Sequence, residues 1–426
     1  MTILFQGILL IFVIIICFFN IKVSLTLLIF SMLLSPEIAV GSTSSRDVTL
    51  RAEDLLLLFM TFGWLCRMAI IKDISFTEKN PLNKPIFLYI FLCVISTSFG
   101  ALRGDVNILS GFFFTLKIIE YFVLFYIVIN YAKSMSDINY LLNIIFLVCF
   151  IVTLYGIFMI LTGGDVAAPF EGSEGEKNTL TGYLSLIGVI AGGILITTNS
   201  KAEKLFLSIL ITAIVFVLVF SSSRSGWIAS SVGIIVLFFQ AKKKNIFILL
   251  FCIFILAAPF IIPEEMAERI NYTFQQDYHP GMHMEFFGIR LDTSTSARLF
   301  MIRLVFQKIT KHLFLGYGIT GFSFIDGHYI RILIELGILG FIAFIWLLAR
   351  IHNVISEVKN KSQDSRIKGT AIGLYAGFWA LIFHAFSANT FIIVRISEPF
   401  WCFVALMIIA QSHLNKKPEN IELIEK

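Results

Sequence analysis

The chain has 426 residues, of which 58% are hydrophobic and only 14% are charged, and its formal net charge is +5. Soluble domains are about half apolar and about a quarter charged, so this composition excludes a soluble fold, a disordered chain, a disulfide scaffold and a nucleic-acid-binding domain. Apolar runs of about 17 to 25 residues follow one another, and each can cross the hydrocarbon core of a bilayer as a helix. The chain is therefore predicted to be an all-α, polytopic helical membrane protein.

About 12 or 13 transmembrane helices are expected from the lengths of the apolar runs. The predicted spans lie near residues 3–20, 23–40, 54–71, 85–102, 108–131, 139–162, 179–198, 205–221, 226–241, 245–262, 329–350, 369–387 and 398–414. The first run has no basic n-region and no small-residue cleavage site. We therefore interpret it as a retained span rather than a signal peptide.

Lysine and arginine residues orient these spans, because cytoplasmic loops carry an excess of both. Three lysines occupy the turn 242–244, and five more basic residues lie between 350 and 368. If both segments are cytoplasmic, residues 41–53, 163–178 and 263–328 lie outside. The net charge then follows from the topology and requires no acidic partner.

One external loop, residues 263–328, is the only long polar stretch, at about 65 residues. It separates an N-terminal transmembrane bundle (1–262) from C-terminal transmembrane helices with a cytoplasmic tail (329–426). From Ser296 to Lys311 apolar residues recur at helical spacing, which predicts an external helix lying on the bundle. These apolar residues are Leu299, Ile302, Val305, Phe306 and Ile309.

The sequence Ser-Ser-Ser-Arg-Ser-Gly-Trp at 221–227 joins two spans on the predicted outer side. An arginine at this depth normally faces a cavity or a partner, and its planar guanidinium suits a phosphate or carboxylate. The alternative is that Arg224 snorkels to the interface. Because the surrounding serines, including Ser223, and Gly226 would let a ligand approach closely, we favour a ligand-binding role.

A second candidate segment is the turn that leads into the span near 179–198. Lys177 and Asn178 lie at the start of this helix. A cation at a helix N-terminus opposes the helix dipole, but it fits a bound anion, because the backbone N–H groups and the cation would both face it. A plain solvated turn is the alternative.

A third candidate segment runs from Arg298 to Gly340. Its polar and glycine positions are Arg298, Arg303, His312, Gly316-Tyr317-Gly318, Asp326-Gly327-His328-Tyr329 and Glu335-Leu336-Gly337. The glycines at 316–321 fit GxGxxG, but a dinucleotide site needs a preceding strand and a βαβ unit, which an all-helical chain lacks.

No metal site is expected. His279 and His283 are four residues apart, but Pro280 and Gly281 between them disfavour the helix that would align them. The six cysteines lie within apolar runs and include no CxxC pair, as is typical of small core residues.

These motifs, in this order and spacing, resemble the bacterial O-antigen polymerase and O-antigen ligase superfamily. Ser-Arg-Ser at 223–225 resembles the family's Ser-Arg-Gly/Ser opening of a central span, and residues 170–183 resemble its Gly-Pro-Phe…Asn…Gly-Tyr-Leu turn. Residues 298–318 resemble its Arg…His-Pro-x-x-Gly-x-Gly element, with Leu313 in place of proline. Residues 326–340 resemble His-Asn-x-Tyr-Leu…Glu-x-Gly-x-x-Gly.

The resemblance implies a GT-C-like glycosyltransferase in the bacterial inner membrane, acting at its outer, periplasmic face without a cofactor or metal. An undecaprenyl-pyrophosphate-linked oligosaccharide would donate its glycan, and a sugar hydroxyl would attack the anomeric carbon. The expected partners are this lipid-linked oligosaccharide and membrane lipid, with a chain-length regulator protein as a further candidate and no nucleic acid.

This reaction requires cations that face the leaving pyrophosphate. It also requires a base within hydrogen-bonding distance of the acceptor hydroxyl. The residues expected to bind the pyrophosphate are Arg224, Arg298, Arg303 and Lys177. Those expected to bind other parts of the substrate are Ser223, Asn178 and Tyr329.

Two residues compete for the role of the base. An ungapped alignment on Tyr329, Glu335 and Gly337 places the family's catalytic histidine at Asp326, and His328 lies two residues later. Register favours Asp326, whereas the proton affinity of an imidazole near neutral pH favours His328. We name Asp326 first and retain His328 as the alternative.

Three functions are compatible with this site. A polymerase and a ligase would share the donor and differ in the acceptor, which is another lipid-linked repeat or lipid A–core. The acid at position 326 and the poor match to the His-Asn pair favour the polymerase. A transporter or flippase of lipid-linked glycans would also need buried arginines, but would more often show inverted repeats and broken helices in both halves.

Overall fold

A computed structural model describes residues 20–36, 38–42, 47–71, 79–164, 166–171, 177–241, 285–286, 289–290 and 293–415. Within them the helices are α1 (Ile21–Leu34), α2 (Ala52–Ile71), α3 (Asn83–Arg103), α4 (Ile108–Tyr131), α5 (Met135–Leu161), α6 (Lys177–Thr197), α7 (Lys201–Phe220), α8 (Arg224–Gln240), α9 (Thr293–Lys308), α10 (His328–Lys361), α11 (Ser365–His384) and α12 (Val394–Asn415). A single 3-10 turn, Ile309–His312, follows α9. Two antiparallel hairpins complete the described elements, β1 (Ile38–Ser42) with β2 (Asp47–Leu50) and β3 (Glu285–Phe286) with β4 (Ile289–Arg290).

The helix lengths confirm a polytopic membrane protein of the all-α class. Among the described residues, 7 helices are long and apolar enough to cross a membrane, and α1 and α8 are shorter apolar helices. The predicted spans 3–20 and 245–262, the loop residues before 285 and the tail after 415 lie outside the described part of the chain. Each of the other predicted spans coincides with a helix.

One predicted boundary is wrong, because the span expected at 23–40 ends early. Helix α1 ends at Leu34, and Ser35 adopts an extended conformation with ψ 139°. Ser35 precedes Pro36, and the proline ring disfavours helical backbone at the preceding residue. Residues 38–42 then pair with residues 47–50 as a hairpin.

Helix α11 lies in the centre of the bundle, packed between α6, α8 and α10. Its contact with α6 depends on small residues, since a Cβ atom at Gly193 would lie 2.3 Å from the Gly373 nitrogen. A Cβ at Gly369 would lie 2.7 Å from the Ile194 Cα. Such close backbone approach is the usual way in which helices associate within a membrane.

One end of the bundle, which we call the basic end, is held by ion pairs and hydrogen bonds between helices. Arg366 of α11 pairs with Glu203 of α7 at 3.0 Å, and Lys359 of α10 donates to Gln240 of α8 at 3.2 Å. The opposite end, which we call the site end, contains the starts of α6, α8 and α10 and the turn between α11 and α12. There the backbone nitrogen of His328 donates to the Ala385 carbonyl at 2.9 Å.

Helix α10 is broken at Gly337, whose backbone has φ 68° and ψ −170°. The break frees backbone groups that the segment 313–318 satisfies: the Tyr317 nitrogen donates to the Ile334 carbonyl at 2.9 Å, and the Ile338 nitrogen donates to the Leu313 carbonyl at 2.9 Å. Buried backbone groups need such partners. The Gly-Tyr-Gly motif thus fastens the loop before α10 into the helix break.

Helix α3 supports the same junction from the other side. The Ser96 hydroxyl donates to the Glu335 carbonyl at 2.8 Å and also contacts the Leu315 carbonyl. The Arg103 guanidinium donates to the Gly316 carbonyl at 2.7 Å. Two segments, α3 and the broken part of α10, therefore fix the position of the loop.

Replacing Gly337 by alanine is expected to unfold this junction. Its φ is positive, and the new Cβ would lie 2.4 Å from the Phe314 carbonyl oxygen. Strain of this kind costs about 1–3 kcal/mol per residue, and the clash adds to it. Gly104→Ala is the matched control, because Gly104 has φ +81° but no atom within 4 Å of a new Cβ. The melting temperature in detergent should fall clearly further for Gly337→Ala than for Gly104→Ala. Equal decreases would contradict the close packing of the segment 313–318 into the helix break.

Candidate functional site

The start of α8 is anchored to the start of α6 by hydroxyl groups. The Ser223 hydroxyl donates to the Asn178 Oδ1 at 2.9 Å, and the Ser225 hydroxyl donates to the same atom at 2.6 Å. Ser223 is also the N-cap of α8, where its Oγ accepts from the Gly226 nitrogen at 3.3 Å. Two of the residues singled out from the sequence, Ser223 and Asn178, are therefore in one network, and Arg224 follows Ser223 as the first residue of α8.

Arg224 and Lys177 are the first residues of α8 and α6, and both side chains are half-buried. The two helices approach closely here, since a Cβ at Gly226 would lie 2.4 Å from the Thr181 Cβ. Helix N-termini carry partial positive charge and unpaired N–H groups. Two such termini and two cationic side chains make this corner of the site end favourable for an anion. We call it the Arg224 corner.

A second polar group lies where α9 meets the segment before α10. The Arg298 Nη2 atom is 3.7 Å from the Asp326 Oδ2 atom. The Arg298 side chain is 27% exposed and the Asp326 side chain 43% exposed. Because exposed ion pairs contribute little to stability, this pair is free to reorganise around a ligand.

The predicted amphipathic helix is present as α9 and is anchored by two apolar residues. Val305 and Ile309 are buried and pack with Ile325 and Ile334. Phe306 is 58% exposed, so the expectation that it faces the bundle is wrong. Arg303 is exposed and lies five residues after Arg298, about 140° around the helix, so the structure does not bring these two arginines together.

The two candidate bases have different environments, because the chain turns at Gly327, which has φ 107°. Asp326 is exposed beside Arg298, whereas His328 is 1% exposed. The His328 ring lies 5.1 Å from the Phe344 ring and 5.3 Å from the Phe391 ring, centroid to centroid. Neither of its ring nitrogens has a hydrogen-bond partner among the described residues.

Tyr329 and His312 make structural contacts. The Tyr329 hydroxyl donates to the Ile382 carbonyl of α11 at 2.8 Å, so a substrate contact through this group stays a prediction. The His312 Nε2 atom is 3.8 Å from the Asp105 Oδ2 atom, and its ring packs edge-on against Tyr317. Burial raises the pKa of the Tyr317 phenol, which donates to the Lys308 carbonyl at 3.0 Å.

Several buried and half-buried charged residues were not named as site residues from the sequence. Arg331 and Glu335 form a buried pair on α10. Near the other helices of the site end, Lys117 bonds Asp54 and Glu120, and Arg395 donates to the carbonyls of Leu33, Ser35 and Pro169. The available signal was the presence of ionisable residues inside predicted spans, which is rare and usually functional or paired.

Among the described residues, no group of three or more His, Cys, Asp or Glu side chains could hold a metal ion. The expectation of a metal-free reaction stays a prediction, since part of the loop 263–328 lies outside the described residues.

These features define a multi-pass helical membrane protein with a polar site at one end of its bundle. The family model described as O-antigen ligase matches residues 207–345, which include Arg224, Arg298, Asp326 and His328. This match confirms the resemblance to the O-antigen ligase and polymerase superfamily, and it supports a glycosyltransferase-like enzyme with a lipid-linked substrate. A comparison with curated proteins gave no match.

Proposed function

We propose that the protein polymerises undecaprenyl-pyrophosphate-linked oligosaccharide repeat units into O-antigen or a related surface polysaccharide, at the outer face of the inner membrane. The observation that carries this proposal is the Arg298–Asp326 pair. It is exposed at the same end of the bundle as the Arg224 corner, and it lies within the segment that matches the family. A carboxylate and fixed cations are the groups that the reaction requires.

In this proposal Asp326 is the base. Its carboxylate takes the proton of the acceptor hydroxyl as the hydroxyl oxygen bonds to the anomeric carbon of the donor. The bond from that carbon to the pyrophosphate oxygen breaks, and the electron pair leaves with undecaprenyl pyrophosphate. Asp326 is favoured over His328 because it is 43% exposed, whereas the His328 ring is enclosed by aromatic side chains.

The Arg224 corner would bind the pyrophosphate of the donor. Arg224 and Lys177 lie at two helix N-termini, so charges and backbone donors would stabilise the same anion. Ser223 and Asn178 would hold Arg224 in position through their hydrogen bond. Arg298 would stabilise charge near the acceptor, and Arg303 would contact substrate only after a rearrangement of α9.

The isoprenoid chain of the donor would lie on the lipid-facing surface. Among the described residues, one cavity between α3, α4, α10 and α12 has a volume of about 20 Å³, enough for one water molecule and far too small for an isoprenoid. Near the site end, α3 and α4 expose large apolar side chains instead. They include Phe99, Leu102, Ile108, Phe112 and Phe113.

The proposal requires that the site end face the periplasm, with the basic end in the cytoplasm. A cysteine replacing the exposed Gln307 of α9 should react with a membrane-impermeant reagent in intact spheroplasts. A cysteine replacing Lys361, whose side chain is 60% exposed at the basic end, should react only in inverted vesicles. The reverse labelling pattern would contradict the orientation.

Two other functions remain as alternatives. A ligase would use the same donor site and transfer the glycan to lipid A–core. A transporter would need broken helices facing a cavity, but the break in α10 is filled by the segment 313–318 rather than by solvent. This filling favours an enzyme. We also propose a chain-length regulator protein as a partner, and the only ground for it is the proposed polymerase reaction.

The surface glycans of a strain that lacks the protein distinguish polymerase from ligase. Loss of a polymerase should leave lipid A–core that carries a single repeat unit. Loss of a ligase should leave polymer attached to the isoprenoid lipid and none on lipid A–core. The proposal predicts the first pattern, and restoration of long chains by the intact gene is the control. The second pattern would assign the protein as a ligase.

A further inference from the structure

The buried pair Arg331–Glu335 on α10 has an unusual geometry. Arg331 is 3% exposed and Glu335 is 6% exposed. The Arg331 Nε atom donates to both carboxylate oxygens of Glu335, at 3.1 Å each. Arginine usually pairs with a carboxylate through two nitrogens, in a parallel fork. Here one nitrogen serves both oxygens, and neither terminal nitrogen is hydrogen-bonded to the carboxylate.

Among the described residues, the hydrogen bonds of Arg331 involve only its Nε atom. A guanidinium has five N–H donors, so four remain at the terminal nitrogens. These terminal nitrogens are not among the fully buried atoms without a partner, so they keep contact with accessible space, where an anion can reach them. A role limited to neutralising Glu335 does not account for this arrangement.

Glu335 is itself held in place. Its Oε1 atom accepts from the Thr320 nitrogen at 3.3 Å, and its backbone carbonyl accepts from Gly318 and from the Ser96 hydroxyl. The helix break and the inserted loop therefore fix the carboxylate, and the carboxylate fixes Arg331. A guanidinium oriented in advance loses little entropy when it binds a ligand.

A second, independent observation comes from His328, one turn earlier on the same helix. Its ring is buried, and neither ring nitrogen has a partner among the described residues. Buried polar groups in native proteins are nearly always hydrogen-bonded. His328 and Arg331 therefore lie one turn apart on α10, and each has polar nitrogens that no described residue satisfies.

We propose that Arg331 binds an oxyanion of the substrate through its two terminal nitrogens, at the start of α10 and one turn after His328. The inference rests on the proposed function, which supplies a substrate with such groups. The oxyanion has two sources, the pyrophosphate of the donor lipid and the carboxylate of an acidic sugar. Glu335 acts as the positioning residue, because it holds the Nε atom and turns the terminal nitrogens toward the ligand.

The test uses the full-length protein in detergent, titrated separately with inorganic pyrophosphate and sodium glucuronate at constant ionic strength. The melting temperature of the wild-type protein should rise with the concentration of at least one of them and reach a plateau. The ligand that gives this response identifies the source of the oxyanion. Arg331→Lys keeps the charge beside Glu335 but lacks the planar fork. It should raise the half-saturating concentration by about tenfold or more.

Arg366→Lys is the matched control, since Arg366 also pairs with a glutamate, Glu203, but at the basic end. Its half-saturating concentration should equal that of the wild-type protein. If Arg331→Lys does not fold, the double variant Arg331→Gln/Glu335→Gln replaces the ion pair by neutral hydrogen-bonding groups, and it should also lose the response.

Two results would overturn the inference. One is a rise in melting temperature with ligand that is the same in the wild-type protein and in the Arg331 variants. The other is a wild-type protein whose melting temperature shows no saturable rise with either ligand. Polymer formation by the wild-type protein is scored separately. Polymerisation together with an unchanged Arg331→Lys response would leave the proposed function standing and remove only the role of Arg331.

Discussion

Arg224→Ala is expected to abolish polymer formation while the protein remains folded. Arg224 begins α8 in the Arg224 corner, beside a serine that bonds Asn178. Removing one group that stabilises charge in a transition state costs about 10²–10³ in rate. Polymer length in cells and the melting temperature of the purified variant are the two measurements. Polymer length should fall to single repeats, and the melting temperature should change little.

Two substitutions accompany this experiment. Arg224→Lys should also be poorly active, because an ammonium is a point charge and cannot reproduce two parallel hydrogen bonds to a phosphate. Arg366→Ala removes an arginine at the basic end, paired with Glu203, and should leave polymer length unchanged. Normal polymer from Arg224→Ala at equal expression would remove Arg224 from the site.

Asp326→Asn is expected to lower the polymerisation rate by about 10²–10⁴, the usual contribution of a positioned general base. The substitution is nearly isosteric, and the carboxylate is 43% exposed, so the fold should be unaffected. The rate is measured with the purified variant on a lipid-linked repeat unit. The ion pair with Arg298 is lost in the same variant.

Two controls separate the roles around Asp326. Arg298→Gln removes the ion pair but keeps the carboxylate, and should retain more activity than Asp326→Asn. His328→Phe fills the aromatic enclosure formed with Phe344 and Phe391, so it tests the histidine without leaving a cavity. Near-normal activity of Asp326→Asn together with an inactive His328→Phe would assign the base to His328.

The membrane-spanning elements could be predicted from the sequence, because a run of apolar residues long enough to cross a bilayer has few alternatives to a helix. The helix boundary at Leu34 was missed because it depends on a single proline, Pro36, within an otherwise apolar stretch. The break at Gly337 was also missed. Apolar residues continue directly on both sides of it, from Ile334 and Leu336 to Ile338 and Leu339, and the freed backbone groups are satisfied by the distant segment 313–318.

The candidate site could be predicted in part. The Ser-Arg-Ser motif and Asn178 are 45 residues apart, yet the structure joins them through Ser223. The sequence motif also indicated Arg298 and Asp326, which form a pair. The enclosure of His328 depends on Phe391 from the turn between α11 and α12, and the position of Glu335 depends on Thr320 and on Ser96 of α3. Sequence spacing within one helix carries no information on such contacts.

Reconstitution distinguishes polymerisation from ligation and from transport. The purified protein in proteoliposomes would receive a single kind of undecaprenyl-pyrophosphate-linked repeat unit, without lipid A–core and without other proteins. We expect lipid-linked glycans of two and more repeats, with one undecaprenyl pyrophosphate released for every new glycosidic bond, and a rate lower by about 10²–10⁴ with the Asp326→Asn protein. Unchanged single repeats that become linked only when lipid A–core is added would contradict the polymerase assignment. Movement of the intact lipid across the bilayer with no new bond would contradict glycosyl transfer.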